Sequence, residues 1–524
     1  MTPASASGSS PRSARFLVNV SWNVAAFLLN LAGGILLSPY IIRKLGVEGY
    51  GVWALVFATI DYFWLTDLGF RSATLKYAAH YMALNQSGKV NSVISTAVSY
   101  FTAVAGCLSA VVLLLGGSFP RWFNVSPAYH DAAAFLFRAA GTCIAAGLVV
   151  NVFKATLEGL QQYPALNRIA ILVTAIRVLG CFGVLALGGG LAQLGLVIVL
   201  GQSSGYVLIF RALRKALPQF ELSWRLVNRG TLKEMISYGI HTMTATIGSQ
   251  ALAQGPVLLV GWLGSARLAG YFSLPVRLLA SAVDVVSQVG MVTGASSADL
   301  WARGDTGGIG RMGAAVNRYC LMLFLAPAIV LSVYGSQLLH LWVGADVASR
   351  SGPLLPALTL GFTLAIAAQQ NSSAILFGLG RHKWLARGLL VEAVLLVAGV
   401  VYLLPRHGLL AVASLVAALM LLNRGMLVPW LLCRNLAIPY RDYLCTIYVK
   451  PLLVALPVAL LAWLARISFL PAANWFQLGA AAALIGLAYY IPAFFFVVEH
   501  PHRRLLFKRL GGVLPWPYLN GTER

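Results

Sequence analysis

Nine ionisable residues lie inside long apolar stretches of this chain: the cations Arg138, Lys154, Arg177, Arg277 and Arg424, and Asp61, His241, Asp284 and Glu392. A charge at the centre of a bilayer costs at least ~2.5 kcal/mol on insertion scales, so such residues face a wet cavity or pair with one another. Cations outnumber acids in this set, and a cavity lined by them has a positive potential that suits an anionic cargo. Arginine is well matched to phosphate, because its planar fork donates two parallel hydrogen bonds. Asp61, Asp284, Glu392 and His241 have a second use, binding a coupling cation or relaying a proton.

Each residue also has a plainer reading. Lys154 lies within three residues of the inner boundary of its span and Arg138 near the outer end, so both can snorkel to the membrane surface. Arg177, Arg277 and Arg424 sit deeper, where the choice is between a cavity and a buried pair. Arg277 and Asp284 share a helix face about 10 Å apart, too far to touch but close enough to shape one field. Glu392 is placed to neutralise Arg424 on the next helix. His241 is more commonly a hydrogen-bonded core residue than a relay. Asp67 reads as a cap or a partner for Arg71, and the glycines between Gly46 and Gly51 read as a tight turn.

The elements that must hold these residues follow from composition. With 59% hydrophobic and 10% charged residues and a mean hydropathy of +0.79, the 524-residue chain has too few polar groups to cover a water-soluble surface. Runs of about 20 apolar residues recur along it, and in lipid such runs must be helices. We expect an all-α polytopic membrane protein with about 14 transmembrane helices. They fall roughly at 16–42, 50–70, 90–117, 133–157, 167–188, 191–212, 233–261, 269–296, 314–338, 353–378, 384–404, 408–432, 449–466 and 476–498. The first run is too long for a signal-peptide core and is expected to stay as the first helix.

A formal charge of +23 would point to nucleic acid if it were clustered on a soluble domain. Here it obeys the positive-inside rule. Arg43, Lys44, Arg121, Arg267, Arg350, Arg406 and Arg466 fall in outward loops, five cations fall in the membrane interior, and the remaining Lys and Arg crowd the termini and inward loops. Both termini are therefore expected in the cytoplasm, with no nucleic-acid partner. The six cysteines are scattered without a C-x-x-C, so no metal site, cofactor or disulfide framework is expected.

An internal repeat organises the spans. At a constant offset of 219 residues, as from Gly51 to Gly270, Leu157, Gly159, Leu160 and Arg168 fall on Leu376, Gly378, Leu379 and Arg387. Gly88 and Tyr100 fall on Gly307 and Tyr319 in the same register. The repeat holds six helices, an even number, so both copies enter from one side and are related by an axis along the membrane normal. The expected divisions are a disordered cytoplasmic tail at 1–15, a six-helix bundle at 16–232, a second at 233–446, two further helices at 447–498, and a cytoplasmic tail at 499–524. Two like bundles create a crevice where cargo binds.

Pro39, the run Leu45-Gly46-Val47-Glu48-Gly49-Tyr50-Gly51, the run Asp67-Leu68-Gly69-Phe70, and Gly159-Leu160-Gln161-Gln162-Tyr163 before Asn167 give the chain its likeness. It resembles the oligosaccharide flippases of the polysaccharide-transport family, within the multidrug/oligosaccharidyl-lipid/polysaccharide exporter superfamily. The resemblance implies a V-shaped pair of six-helix bundles in the cell inner membrane that moves a polyprenyl-diphosphate-linked glycan outward by alternating access. Its partners would be that glycan lipid, the bilayer and other polysaccharide-assembly membrane proteins. The candidate diphosphate ligands are then Arg277, Arg177, Arg424, Arg138 and Lys154, and the candidate ion-coupling residues Asp61, Asp284, Glu392 and His241.

Two alternatives stay open. A cation-coupled drug or small-molecule exporter has the same architecture, although typical members carry a buried acid in helix 1 or 7. Here helix 1 has none and Glu234 lies at the mouth of helix 7. A membrane enzyme of lipid-linked glycan assembly needs acids or histidines clustered on outward loops, and these loops offer only scattered Glu48, His130, Asp131, Asp346 and His407. No P-loop is present, so the chain is not itself expected to hydrolyse ATP.

Overall fold

The computed structural model describes residues 11–290, 293–468 and 473–504, and within these the side chains of 11–28, 237–246, 288–290, 295, 382 and 468 are also outside the description. Every regular element among the described residues is a helix. In chain order these are α1 (Pro11–Ile60), α2 (Phe70–Ala83), α3 (Ser87–Leu115), α4 (Phe119–Trp122), α5 (His130–Gly159), α6 (Tyr163–Ala186), α7 (Leu191–Ala216), α8 (Arg229–Leu263) and α9 (Ala266–Gly290). There follow α10 (Thr293–Ala302), α11 (Thr306–Val343), α12 (Ala345–Ser351), α13 (Leu354–Gly361), α14 (Gln370–Gly378), α15 (His382–Met420), α16 (Val428–Leu436), α17 (Tyr440–Ser468) and α18 (Trp475–Phe496). A 3-10 turn covers Asp61–Asp67, and two π-helical turns cover Phe362–Ala367 and Leu421–Leu427.

Among the described residues nine helices are long and apolar enough to cross a membrane, or eleven if two bent pairs are each taken as one span. One of the nine, Lys383–Leu436, has 54 residues. A single rod of that length would reach about 80 Å, against a hydrocarbon core of ~30 Å. The backbone breaks it at Gly408 (φ 70, ψ −163), and α1 breaks likewise at Gly46 (φ 70, ψ 174). Both conformations lie on the side of φ that disfavours residues with a Cβ, which explains glycine at each. With these breaks, each of the fourteen apolar segments read from the sequence falls on largely helical structure, with residues 291–292 outside the described part.

By mutual contact the chain divides into two compact units, Met1–Leu274 with Leu389–Val412, and Pro275–Gly388 with Ala413–Arg524. In the first unit, α3, α5 and α7 pack in sequence, with α2 against α3 and α5, and α6 between α1 and α7. Phe70, Ile94, Phe101, Leu148, Val152 and Leu157 form a dense apolar cluster where α2, α3 and α5 meet. The rings of Phe70 and Tyr100 stack at 4.2 Å within it. Lipid is as apolar as these side chains, so it is van der Waals fit and a few polar links that hold the helices together, and solvent exclusion adds little.

In the second unit α11, 38 residues long, is the post against which α12, α13, α14, α17 and α18 pack. Its Asn317 is fully buried and anchors a polar network. The Asn317 amide donates to Ser372 Oγ (2.9 Å) and Tyr443 Oη (3.2 Å), while its oxygen accepts from the Asn371 backbone N–H (3.0 Å). Gln369 donates to Tyr448 Oη (3.0 Å), which donates in turn to the Leu364 carbonyl in the first π-turn (2.6 Å). A buried network with its members satisfied fixes one arrangement of the helices, so the break between α13 and α14 is held in place by side chains from α11 and α17.

Candidate functional site

The intramembrane charges divide between the units. In the first, Arg177 of α6 donates to Asn30 Oδ1 on α1 at 2.9 Å, and Thr174, one turn away, donates to the same oxygen at 3.2 Å. An amide oxygen orients a guanidinium without neutralising it. Asp61 opens the 3-10 turn after α1, and its carboxylate accepts a hydrogen bond from Gln254 Nε2 of α8 (2.8 Å). Arg138 of α5 lies under the C-terminal end of α3, its Cγ 2.5 Å from where a Gly116 Cβ would stand and its Nη2 3.0 Å from that of Gly117. A cation there faces the negative end of a helix dipole. Lys154 is exposed near the C-terminal end of α5, and Glu392 of α15 is buried, 3% exposed.

The second unit holds Arg277, Asp284 and Arg424. Arg277 and Asp284 are both exposed on α9. Arg424 lies in the second π-turn. Glu392 and Arg424 belong to different units. The side chain of His241 lies outside the described residues.

Three assignments are sharpened. Asp67 accepts from the backbone N–H of Arg71 (3.1 Å), so it caps the start of α2. The Arg71 guanidinium instead takes both oxygens of Glu158, at 2.7 and 2.9 Å, and ties α2 to the end of α5. Of the glycines read as a turn, only Gly46 has positive φ; Gly51 is a helix-contact glycine that meets α9 near Gly270.

That contact belongs to a cluster at one end of the first unit. Glu48 accepts from the Ser126 backbone N–H (2.7 Å) and lies 3.9 Å from the Arg267 guanidinium. Asn124 donates to the carbonyls of Trp262 (3.2 Å) and Gly264 (3.0 Å). The repeat offset that carries Gly51 to Gly270 also carries Glu48 to Arg267 and Val47 to Ala266. Residues equivalent by repeat therefore meet each other here, as expected around a local two-fold.

Sequence reasoning missed the neutral supports, Asn30 and Gln254, because an uncharged amide gives no signal in an apolar run. It also missed Arg318 of α11, only 3% exposed, whose Nη2 donates to Glu499 at 2.6 Å. The available signal was an arginine just inside the ninth segment and an acid opening the C-terminal tail.

These features define a class: a multi-pass helical membrane protein built on an internal repeat, with charges carried into its spans on amide and helix-end supports. Among solved structures, the lipid II flippase MurJ in an inward closed conformation shares this fold at a TM-score of 0.70 and 13% identity, covering 94% of this chain and 99% of that one. An inward-facing multidrug resistance MATE family transporter of the MOP superfamily matches at a TM-score of 0.65 and 14% identity, over 80% and 95% of the two chains. The chain belongs to the polysaccharide biosynthesis protein family, which it matches over residues 16–293, more than half its length. Two relatives are similar along most of their length. One is the uncharacterized membrane protein EpsK of Bacillus subtilis (strain 168), 24% identical over 94% of this chain and 98% of that protein. The other is a putative O-antigen transporter of Shigella flexneri, 23% identical over 79% and 97%.

Proposed function

We propose that this protein is a flippase, a transporter and not an enzyme, that carries a polyprenyl-diphosphate-linked oligosaccharide across the inner membrane by alternating access. The observation that carries the reading is the excess of cations over acids on the spans, in a chain whose family is polysaccharide biosynthesis. A diphosphate brings at least two negative charges that must leave water, and guanidinium groups offer paired donors in a medium where each such contact is strong. Arg177, Arg277 and Arg424, with Arg138 and Lys154, are assigned to that task. The glycan crosses in a crevice between the two repeat-related six-helix bundles, and the prenyl chain stays in lipid. Asp61, Asp284, Glu392 and His241 are assigned to ion or proton coupling. Both termini are cytoplasmic in this scheme.

The test is export of a lipid-linked glycan in a host lacking its own flippase. Arg177→Ala, Arg277→Ala and Arg424→Ala should each lower export several-fold at unchanged membrane level of the protein. Full export by the triple variant would remove these residues from the path.

A further inference from the structure

At one end of the second unit a cavity of about 850 Å³ opens between the first turns of α11 and α17 and the segment after α18. Taken with the orientation proposed above, this end faces the cytoplasm. The floor is small and apolar, with Gly310 and Ala314 of α11 beside Ile438. The rim carries Arg311, Asp442 and His502. Tyr319 hydrogen-bonds His502 Nδ1 (2.6 Å), so the other ring nitrogen is the one a ligand can use. Glu499 also lines the cavity, but its carboxylate is taken by buried Arg318 (2.6 Å).

Two features favour a negative group here. Arg311 and His502 supply cationic or donor chemistry. α17, of 29 residues, also presents its N-terminal end, where backbone N–H groups and the helix dipole attract anions, whereas the α11 end is already capped by Asp305, which accepts from the Gly308 N–H (2.7 Å). Of the two acids on the lining, Glu499 is engaged by Arg318, and Asp442 stays on the rim. A bare anion would leave most of the apolar floor uncovered, whereas a molecule with a phosphate beside a glycerol and methylenes fits both the rim and the floor. The position at the inner ends of membrane helices is where such molecules reside, and basic pockets between helices on this side recognise lipid headgroups.

We infer that this cavity seats the headgroup of an inner-leaflet phospholipid, with the phosphodiester at Arg311 and His502 and the glycerol and first methylenes on Gly310, Ala314 and Ile438. None of the residues assigned to the cargo lines it, so the lipid site stands whether or not the flippase reading holds.

The experiment uses the full-length protein, delipidated in detergent and titrated with phosphatidylglycerol, phosphatidylethanolamine or inorganic phosphate, reading the thermal midpoint and lipid adducts by native mass spectrometry. Either lipid should raise the midpoint and leave a one-lipid adduct, and inorganic phosphate should do neither. Arg311→Gln and His502→Gln should each raise the lipid concentration for half-maximal effect about tenfold, the loss of one charge-assisted contact. Arg303→Gln, an exposed cation outside the cavity, should leave it unchanged. A response to phosphatidylglycerol alone assigns an anionic headgroup, and one to both assigns the shared phosphodiester. Equal lipid response in the variants and wild type, or the full midpoint shift with inorganic phosphate, overturns the proposal. Loss of export without loss of lipid binding in the arginine variants of the spans leaves it standing.

Discussion

Gly51 of α1 and Gly270 of α9 are packed backbone to backbone. A Cβ on Gly51 would stand inside the carbonyl of Ala266 and 3.1 Å from the Gly270 nitrogen; one on Gly270 would stand 2.6 Å from the Val47 carbonyl oxygen and 3.4 Å from Gly51 Cα. The contact is reciprocal, because Val47 and Ala266 are themselves repeat equivalents. Two ancestral copies of one surface meet face to face, and only glycine lets the helices come this close.

Gly51→Ala should therefore destabilise the protein by about 1–3 kcal/mol, the usual effect of overpacking a tight contact. Gly88→Ala, where nothing lies within 4 Å, serves as the control and should change stability little. Thermal unfolding in detergent compares the two; equal midpoints would mean that the α1–α9 contact opens without loss.

The Glu48–Arg267 pair stands at the same crossing. Arg267 is well exposed, so Arg267→Ala should cost less than about 1 kcal/mol. Glu48→Ala should cost more, because the Ser126 N–H loses its acceptor as well. Comparing the two midpoints separates the ion pair from the loop tie.

Removing Glu499 strands the buried Arg318 charge, and Glu499→Ala should destabilise by about 1–3 kcal/mol. Arg318→Met takes the charge away with its partner left in water, and should be milder. The Glu499 carboxyl is held below the ordinary carboxylate range chiefly by the hydrogen bond from Arg318, with burial opposing and the charges of Arg318, His502 and Lys450 assisting. A depressed carboxylate stabilises the fold above its unfolded pKa of about 4.3, and this contribution is lost as pH falls through the folded value. Wild type should lose stability on acidification below that point more steeply than Glu499→Gln.

Asn30 is the test of charge at Arg177. Asn30→Ala loosens the guanidinium and should lower glycan export modestly; Asn30→Asp holds it but cancels its charge, and should lower export further. If Asn30→Asp exports better than Asn30→Ala, Arg177 acts as a structural clamp and not as a phosphate ligand.

Asp61→Asn keeps an oxygen for Gln254 while removing the titratable group. If Asp61 couples transport to an ion, the variant should still fold but export should lose its dependence on proton or cation gradient, measured by uptake of labelled glycan lipid into vesicles.

Much of the fold is legible in the chain because its signals are local: apolar runs of span length, and the glycine turn that opens at Gly46. The repeat register is legible too, but that Gly51 meets Gly270 is not, since an offset says which residues are equivalent and not which ones touch. The charged candidates announce themselves against an apolar background. Their supports do not: Asn30 and Gln254 look like ordinary polar interruptions, and the burial of Arg318 depends on Glu499, 181 residues away. The break between α13 and α14 is likewise set by Asn317 and Tyr448 from distant helices, so the run 353–378 reads as one plain span.

The two π-turns pack against each other, with Gly425 of one beside Leu364 and Ala365 of the other. A π-turn is an α-helix holding one residue more than its hydrogen-bond ladder needs. Arg424 sits inside such a turn, so its direction is set by a surplus residue. Deleting one residue between 421 and 427 would close the turn to an ordinary helix and swing neighbouring side chains by about 100°. Relatives of different length here would aim the same arginine at a different part of the membrane interior, which makes chain length, as much as residue identity, a means of changing what the second unit can hold.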